Sequence, residues 1–297
     1  MSERSRAIVS VIGRDQKGVV ARISTYLASS DVNIEDIEQR VMEGLFIMTM
    51  LVDLSDIGTT LDELVLGLKQ IGDEIGMETT LRLAGAPAAR KRVAVLVTKE
   101  AHCLAQLVHD RDQGLIRGDL VTVLANHPDL EPLAREHGIP FAWAPSKDKT
   151  AHEDFLLARL ADVKPDLVVL ARYMQILTPR LIDRYPFRIV NIHPSLLPYH
   201  PGSNAYKQAW EEGVRVSGCT AHFVTEQLDA GPVILQDVFH IRVGEDTLEE
   251  VKQRGRDLEG HVLSQAVQLC LNDQLVVKDK KVIFRPGRFP GMSGGSA

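Results

Sequence analysis

Two polar side chains lie two positions apart where an apolar run ends, in the stretch VNIHPSLLPYHPG. They are Asn191 and His193, and on a strand this spacing turns both side chains to the same face. An amide N–H and an imidazole that exchanges a proton near neutral pH can together stabilise a developing oxyanion. Such a pair needs a carboxylate that orients the imidazole, and Asp229 in EQLDAGPVI is the best candidate. The three residues predict a site for chemistry at a carbonyl carbon.

The residue types also permit a structural interpretation of each position. Asn191 would then cap a turn, His193 would be a hydrogen-bonded core residue, and Asp229 would be an ordinary turn acid. We expect no metal, because no compact ligand spacing links Asp229 to the candidate histidines His193, His200 and His222. The residues alone therefore leave a catalytic and a structural interpretation open.

The Asn-His pair follows one of several short apolar runs that alternate with helical segments. RVAVLVT, DLVTVLAN, DLVVLARY and FRIVNI are apolar almost throughout, which is typical of parallel strands covered on both faces. Ligands of such open sheets bind at the carboxyl ends of the strands. We therefore predict a Rossmann-like α/β domain with a mostly parallel sheet over residues 92–285, and we place the pair at its ligand-binding end.

The first 84 residues follow a different pattern. Alternating strands such as RAIVSVIGRD and two amphipathic segments, GVVARISTYLASS and LDELVLGLKQIGDEIG, give the order β-α-β-β-α-β. This order predicts a ferredoxin-like domain over residues 1–84. The small, basic stretch 85–91 is expected to be a linker, and the Gly/Ser/Pro-rich composition of 286–297 predicts a disordered tail.

Composition limits the class of protein and of partner. The 297 residues are 44% hydrophobic and 25% charged, as in a soluble globular protein. A net charge of −6 offers no general attraction to nucleic acid or anionic lipid. Three scattered cysteines form no disulfide framework, and the N-terminus lacks the apolar core of a signal peptide. We expect a cytoplasmic protein with no nucleic-acid or membrane partner.

Two separated motifs resemble those of enzymes that use 10-formyltetrahydrofolate: NIHPSLLP at 191–198 and the later GCTAHFVTEQLDAGPVILQ. The resemblance extends over residues 92–284 and implies that Asn191, His193 and Asp229 are the catalytic residues. The first domain resembles an ACT domain, with GRDQKGVVARIS as its first strand-to-helix turn. An ACT domain ahead of such an enzyme resembles the formyltetrahydrofolate deformylase family. The resemblance implies hydrolysis of 10-formyltetrahydrofolate to formate and tetrahydrofolate, with no permanently bound cofactor.

The resemblance also implies where the substrate and an effector would bind. The expected folate contacts are Met174, Gln175, Ile176, Leu177, His222 and Gly231. For His222 the alternative is a packed structural role, and for Gly231 it is shaping of the loop. The ACT domain implies an amino-acid effector, methionine or glycine in the family, and a homo-oligomer, either a dimer or a tetramer. A tight turn and a core strand would equally explain the candidate effector residues, which are Gly13, Asp15, Gly18, Val19, Asn33 and Ile34.

The main alternative is glycinamide ribonucleotide formyltransferase, which shares the implied fold and catalytic residues. Its acceptor carries a phosphate, which a Gly/Ser/Asn-rich turn after the first strand would bind. Here that turn, residues 97–103, has no glycine, and Glu100 would repel a phosphate although Lys99 could partly offset it. Pro194 and the stretch 202–204 resemble the transferase instead. The turn and the ACT domain favour hydrolysis, with transfer to an amine as the alternative.

A third interpretation makes the protein a ligand sensor whose second domain is inactive. Loss of one of the three candidate catalytic residues would indicate such a sensor, and all three are present. The sequence therefore favours an enzyme.

Overall fold

The computed structural model describes residues 5–84, 90–199 and 204–285. The chain folds into two compact units that divide near residue 90. Most of the predicted linker 85–91 and all of the predicted tail 286–297 lie outside the described residues, and so do residues 202 and 203. Among the described residues, no helix combines the length and the apolar character that a membrane span requires.

The first unit is an antiparallel sheet with two helices, in the predicted order β-α-β-β-α-β. Its elements are β1 (Arg6–Arg14), α1 (Val19–Ser29), β2 (Asn33–Met42), β3 (Leu45–Asp53), α2 (Leu61–Glu74) and β4 (Met77–Leu83). The strands lie in the order β2-β3-β1-β4, and every neighbouring pair is antiparallel. Alternate residues of β1, such as Val9 and Val11, are fully buried in one core with Ile23 of α1 and Leu64 of α2. The predicted ferredoxin-like fold is confirmed.

The second unit alternates strands and helices. Its strands are β5 (Lys91–Val97), β6 (Gly118–Ala125), β7 (Phe141–Trp143), β8 (Leu167–Ala171), β9 (Ile189–His193), β10 (Val216–Phe223) and β11 (Val233–His240). Its helices are α3 (His102–Asp112), α4 (Glu131–Glu136), α5 (Lys149–Val163), α6 (Pro179–Ile182), α7 (Ala205–Glu211) and α8 (Leu248–Leu271). A short hairpin of β12 (Leu275–Lys278) and β13 (Lys281–Phe284) follows α8.

Seven of these strands form one sheet in the order β11-β10-β9-β8-β5-β6-β7. Strands β5 to β9 pair in parallel, whereas β10 runs antiparallel to both β9 and β11. All residues of β8 are buried, as expected for a strand covered by helices on both faces. The chain runs outward from β5 to β7 and returns to β8, so the topological switch point lies between β5 and β8. The predicted mostly parallel sheet is confirmed.

The loop after β9 is fixed by one buried hydroxyl. Thr220 of β10 lies opposite His193, the last residue of β9. Its hydroxyl donates to the Ser195 carbonyl at 2.7 Å and accepts from the Leu197 N–H at 3.0 Å. Gln236 Nε2 of β11 donates to the same oxygen at 2.9 Å. Two of these three hydrogen bonds hold the chain directly after His193, and the third joins the same oxygen to β11.

Replacing Thr220 with valine would keep the size of the side chain and remove the hydroxyl. The Ser195 carbonyl and the Leu197 N–H would then be buried without this partner. Each unsatisfied buried group costs about 1–3 kcal/mol, so we expect the free energy of unfolding to fall by roughly 2–4 kcal/mol. Urea denaturation followed by circular dichroism measures the change. Thr220→Ser keeps the hydroxyl and is the matched control, and equal losses in the two variants would contradict the role of the hydroxyl.

Candidate active site

The sheet register brings three polar side chains to one face. Asn191 and His193 lie two positions apart on β9, and His222 of β10 is the direct antiparallel partner of Asn191. Residues at i and i+2 of a strand share a face, and so do residues paired directly across two strands. The main-chain pairing of β9 with β10 therefore places all three side chains together.

Asp229 reaches these side chains from the loop between β10 and β11. Its backbone is left-handed, with φ of 51°, a conformation that aspartate adopts more readily than most residues. Two residues later, Gly231 packs against β10 so closely that a Cβ would lie 1.7 Å from the Phe223 carbonyl oxygen. The Phe223 N–H donates to the Pro232 carbonyl at 2.9 Å. The loop can return along β10 in this way only because residue 231 has no side chain.

The Asp229 carboxylate and the His193 ring form a buried pair. Asp229 Oδ2 lies 3.3 Å from His193 Nδ1, and the two side chains are 14% and 7% exposed. The hydrogen bond from His193 lowers the pKa of Asp229, and burial offsets this effect only in part. His193 Nε2 is buried and has no hydrogen-bond partner among the described residues. Nε2 is therefore the ring atom available to a ligand.

His222 holds the side chain of Asn191. Burial lowers the pKa of His222, and the Phe223 carbonyl and the Asp229 carboxylate offset this only in part, so the ring is neutral at neutral pH. Nδ1 lies 3.0 Å from the Phe223 carbonyl and must donate to it, which leaves Nε2 as an acceptor. Asn191 Nδ2 lies 3.1 Å from this Nε2 and donates one of its two hydrogens. The second amide hydrogen of Asn191 can be donated to a ligand.

These side chains line a cavity of about 230 Å³. Most of its lining comes from two loops, residues 172–177 after β8 and residues 224–229 after β10. Each loop has an apolar side chain that is exposed to solvent: Ile176 of the first loop is 72% exposed, and Leu228 of the second is 64% exposed. The cavity thus combines a few polar groups with apolar loops, which is typical of a small-molecule site.

Most of the predicted site residues meet in this cavity. Of the nine predicted catalytic and folate-contact residues, eight line it: Asn191, His193, Asp229, Met174, Gln175, Ile176, Leu177 and His222. The ninth, Gly231, is not part of the lining, and in the structure it serves the close packing against Phe223.

Four further side chains form a cycle of ion pairs at the topological switch point. Glu100, His102, Arg172 and Glu259 are termed the charged ring. Arg172 lies 3.1 Å from Glu100 and 3.4 Å from Glu259, and His102 lies 3.6 Å and 3.0 Å from the same two carboxylates. The Glu259 side chain is 1% exposed, so its charge must be balanced within the ring. Arg172 also lines the cavity, which places the charged ring beside the candidate site.

The charged ring shares His102 and Glu259 with a group of three side chains whose ligand atoms lie close enough together to hold a metal ion. His102, Cys103 and Glu259 each bring one ligand atom within 4.8 Å of the others. The Glu259 carboxylate is already paired with Arg172. Burial raises the pKa of the Cys103 thiol well above its usual value, which disfavours the thiolate that a metal ligand requires. These residues therefore fit a cycle of ion pairs better than a metal centre.

The predicted effector residues do not form one site within a single copy of the first unit. Four of them belong to the end of β1 and the turn into α1: Gly13, Asp15, Gly18 and Val19. Asn33 and Ile34 begin β2, and the register through β3 places Asn33 level with Arg6 at the start of β1. About seven residues of extended strand, roughly 23 Å, separate the two groups.

Among the residues that shape the site, Thr220, Arg172 and Glu259 were not predicted from the sequence. Glu259 did carry a readable signal, because it continues the four-residue spacing of buried positions Val251 and Gly255 on α8. A glutamate on such a stripe needs a buried partner. A threonine inside a strand and an arginine after one are too common to indicate any role.

Comparison with known proteins agrees with this architecture. One family model, described as ACT domain, matches residues 5–82, and another, described as formyl transferase, matches residues 91–267. A formyltetrahydrofolate deformylase of Escherichia coli is 37% identical over 96% of this chain and 100% of its own length. The crystal structure of a formyltetrahydrofolate deformylase from Pseudomonas syringae has a TM-score of 0.85 and 33% identity, and the match covers 96% of this chain and 95% of that one. A glycinamide ribonucleotide transformylase from Symbiobacterium toebii, with a TM-score of 0.63 and 34% identity, matches over 69% of this chain and 97% of that one.

The fold and the site thus define a class of proteins in which an ACT domain precedes a formyl transferase domain. The two relatives above that cover nearly the whole chain are both deformylases. The chain belongs to the formyltetrahydrofolate deformylase family, as the sequence motifs predict.

The lowered pKa of Asp229 predicts that the stability contributed by its ion pair with His193 depends on pH. A carboxylate whose pKa is lower in the folded than in the unfolded state contributes stability above its unfolded pKa, and this contribution is lost as pH falls through the folded pKa. Asp229→Asn keeps a residue that tolerates the left-handed backbone and removes the ionisation. We expect the variant to be less stable than the wild type at neutral pH, and the difference to shrink as pH falls through the lowered pKa of Asp229. Urea denaturation over a pH series measures it, and a difference that does not vary with pH would contradict the ion pair.

Proposed function

We propose that the protein is an enzyme that hydrolyses 10-formyltetrahydrofolate to formate and tetrahydrofolate. The observation that carries the proposal is the geometry of three side chains in one cavity. His193 turns Nδ1 to Asp229 and keeps Nε2 free, while Asn191 keeps one amide hydrogen free because His222 accepts the other. Membership of the deformylase family supports the same substrate and reaction.

In the proposed complex, the pterin ring of the substrate lies against the loop that contains Met174, Gln175, Ile176 and Leu177. Among the described residues, the main-chain N–H and carbonyl groups of Ile176 and Leu177 have no hydrogen-bond partner. A flat heteroaromatic ring with donors and acceptors along its edge can satisfy such groups and also cover the apolar side chains beside them. The loop therefore suits the pterin end of a folate.

The proposed reaction adds water across the formyl C–N10 bond. His193, which as an imidazolium donates from Nδ1 to Asp229 and from Nε2 to the substrate, and Asn191, donating its free amide hydrogen, polarise the formyl oxygen while water attacks the formyl carbon. Asp229 orients His193 and the water and helps to move a proton to N10 as the C–N10 bond breaks. The oxygen of the water ends in formate, and the proton ends on the nitrogen of tetrahydrofolate. No metal and no permanently bound cofactor take part.

Water rather than an amine is the acceptor in this proposal, and the charged ring supports that choice. The turn after β5, where an acceptor phosphate would bind by the resemblance, has no glycine and carries Glu100. Burial would raise the pKa of Glu100, but the charge and hydrogen bond of Arg172 together with the charge of His102 lower it overall, so the carboxylate is ionised at neutral pH. Arg172 is shared between Glu100 and Glu259, so its charge is largely balanced before any ligand binds. Pro194, which resembles the transferases, also lines the cavity and is the residue that departs from the deformylase pattern.

The ACT domain implies an amino-acid effector, and we propose methionine or glycine for this role. The candidate residues are the turn group (Gly13, Asp15, Gly18 and Val19) and the strand group (Asn33 and Ile34). We further propose a homo-oligomer, a dimer or a tetramer, as the assembly on which the effector acts.

Replacement of a catalytic residue should lower turnover far more than folate affinity. A positioned acid or base contributes about 10²–10⁴ in rate, so we expect His193→Gln and Asp229→Asn to reduce kcat by roughly this factor. Their dissociation constants for tetrahydrofolate should stay close to that of the wild type, because the pterin contacts are intact. Formate release measures kcat, and near-wild-type turnover in Asp229→Asn would contradict the proposed mechanism.

The same assay separates hydrolysis from the two alternatives. Formate released without an amine supports the hydrolase. Formyl transfer that occurs only with glycinamide ribonucleotide supports the transferase. No turnover, together with amino-acid binding, supports a sensor.

His222 should act on turnover through Asn191. His222→Leu removes the acceptor that fixes the Asn191 amide, and loss of such orientation can cost about 10²-fold in rate, so we expect a loss of this size in kcat with a small change in KM. Cys219→Ala is the control, because Cys219 is equally buried on β10 and does not line the cavity. Equal losses of kcat in both variants would assign His222 a packing role only.

A further inference from the structure

Within the loop between β8 and α6, the segment 173–178 is anchored at both ends by two consecutive residues of α5. At its start, the Tyr173 hydroxyl is hydrogen-bonded to Nε2 of His152. At its end, both polar groups of Thr178, the N–H and the hydroxyl, donate to the carboxylate of Glu153. The four cavity-lining residues Met174, Gln175, Ile176 and Leu177 lie between these two anchors.

The Glu153 anchor is unusual in its electrostatics. Glu153 is 8% exposed, and its Oε1 lies 3.1 Å from the Thr178 N–H nitrogen and 2.7 Å from the Thr178 hydroxyl. Its Oε2 lies 2.8 Å from the same hydroxyl. No basic side chain among the described residues lies within ion-pair distance of this carboxylate. Burying a carboxyl group without a basic partner is costly, and two apolar residues would pack α5 against this loop at lower cost.

The His152 anchor is a neutral hydrogen bond. Burial lowers the pKa of His152, and the Ala144 carbonyl offsets this only in part. Burial also raises the pKa of Tyr173, so its hydroxyl keeps its proton. Both side chains are almost fully buried. The start of the loop is therefore held by a hydrogen bond between two groups whose uncharged forms are favoured by burial.

Between the two anchors, the residues of the loop line the cavity. The Met174 N–H donates to Thr98 Oγ1 at 2.9 Å, which gives a third attachment point at the end of β5. Beyond this point the main chain of Ile176 and Leu177 has no partner among the described residues, and the Ile176 side chain is largely exposed. A segment with fixed ends and unpaired main-chain groups in its middle is preorganised for a ligand that pairs with those groups.

We infer that Glu153 is a positioning residue for folate binding, which it serves by fixing Thr178 and with it the main-chain groups that meet the pterin ring. The inference rests on the proposed function and adds to it a residue that contacts neither the substrate nor the cavity. Loss of the anchor should loosen the loop, whereas the catalytic side chains on β9 and on the loop 224–229 stay in place. Glu153 should therefore affect folate binding and leave the chemical step nearly unchanged.

The decisive variants are Glu153→Ala and Glu153→Gln. Without preorganisation the loop must be ordered on binding, so we expect Glu153→Ala to raise KM for 10-formyltetrahydrofolate and Kd for tetrahydrofolate about tenfold, with kcat within about threefold of the wild type. Glu153→Gln keeps an amide oxygen that accepts from both groups of Thr178, and its KM should return to within about threefold of the wild type. Thr178→Val, which removes one of the two donors and keeps the carboxylate, is a second disruptive variant should Glu153→Ala not fold, and we expect an intermediate rise in KM.

Ser264→Ala is the matched control. Ser264 of α8 donates its hydroxyl to the buried carboxylate of Asp110, so its loss removes a contact of the same chemical kind outside the cavity. This variant should lower the melting temperature and leave KM and Kd unchanged. A raised KM with retained kcat in Glu153→Ala, restored in Glu153→Gln and absent in Ser264→Ala, supports the inference. An unchanged KM in folded Glu153→Ala, or a loss of kcat without a rise in KM, overturns it.

Tetrahydrofolate binding, measured by calorimetry, keeps this test separate from the proposed reaction. If the wild type binds tetrahydrofolate and releases no formate, the proposed hydrolysis fails and the Kd values of the same variants still decide the role of Glu153. If the wild type neither binds tetrahydrofolate nor releases formate, both the function and the inference are overturned.

Discussion

The candidate site depends on one main-chain interaction, the antiparallel pairing of β9 with β10. This register sets Asn191 against His222 and His193 against Thr220, so it fixes both the side chains that face the cavity and the hydroxyl that holds the following loop. A slip of one residue would turn all of these side chains to the opposite face. The hairpin that continues from β10 also carries Asp229, which therefore reaches His193 through the same ladder.

Polar side chains around the cavity hydrogen-bond to one another, and each of the two on β9 keeps one atom that can bind a ligand. His193 gives Nδ1 to a carboxylate and keeps Nε2, and Asn191 gives one hydrogen to His222 and keeps the other. The charged ring shows the opposite arrangement, because each of its carboxylates meets two partners and little charge is left for a ligand. Inside a protein, where electrostatic interactions are strong, this contrast separates groups that can act on a substrate from groups that stabilise the fold.

Local pattern was sufficient to predict the two fold classes and to single out Asn191, His193 and Asp229 as candidates, whereas their catalytic roles and the folate contacts were implied by the family resemblance. Strand and helix periodicity are properties of neighbouring residues, and the Asn-x-His spacing and the Asp-x-Gly turn could be read in the same way. The strand order and the supporting residues could not be predicted, because they depend on distant pairs: 25 positions separate Glu153 from Thr178, and 157 separate His102 from Glu259. The effector candidates show that sequence order does not predict proximity either. Their two groups are separated along the chain only by α1, yet the register of the first sheet places them at opposite ends of the strands.

The β9–β10 register also determines which sequence changes the site can absorb. Main-chain hydrogen bonds are the same for almost any side chain, so substitutions in the surrounding helices leave the spacing of Asn191, His193 and His222 intact. An insertion or deletion of one residue within β9 or β10 would instead shift the partners and dismantle the cavity. The length of these two strands is therefore a stricter requirement of the site than the identity of most residues around them.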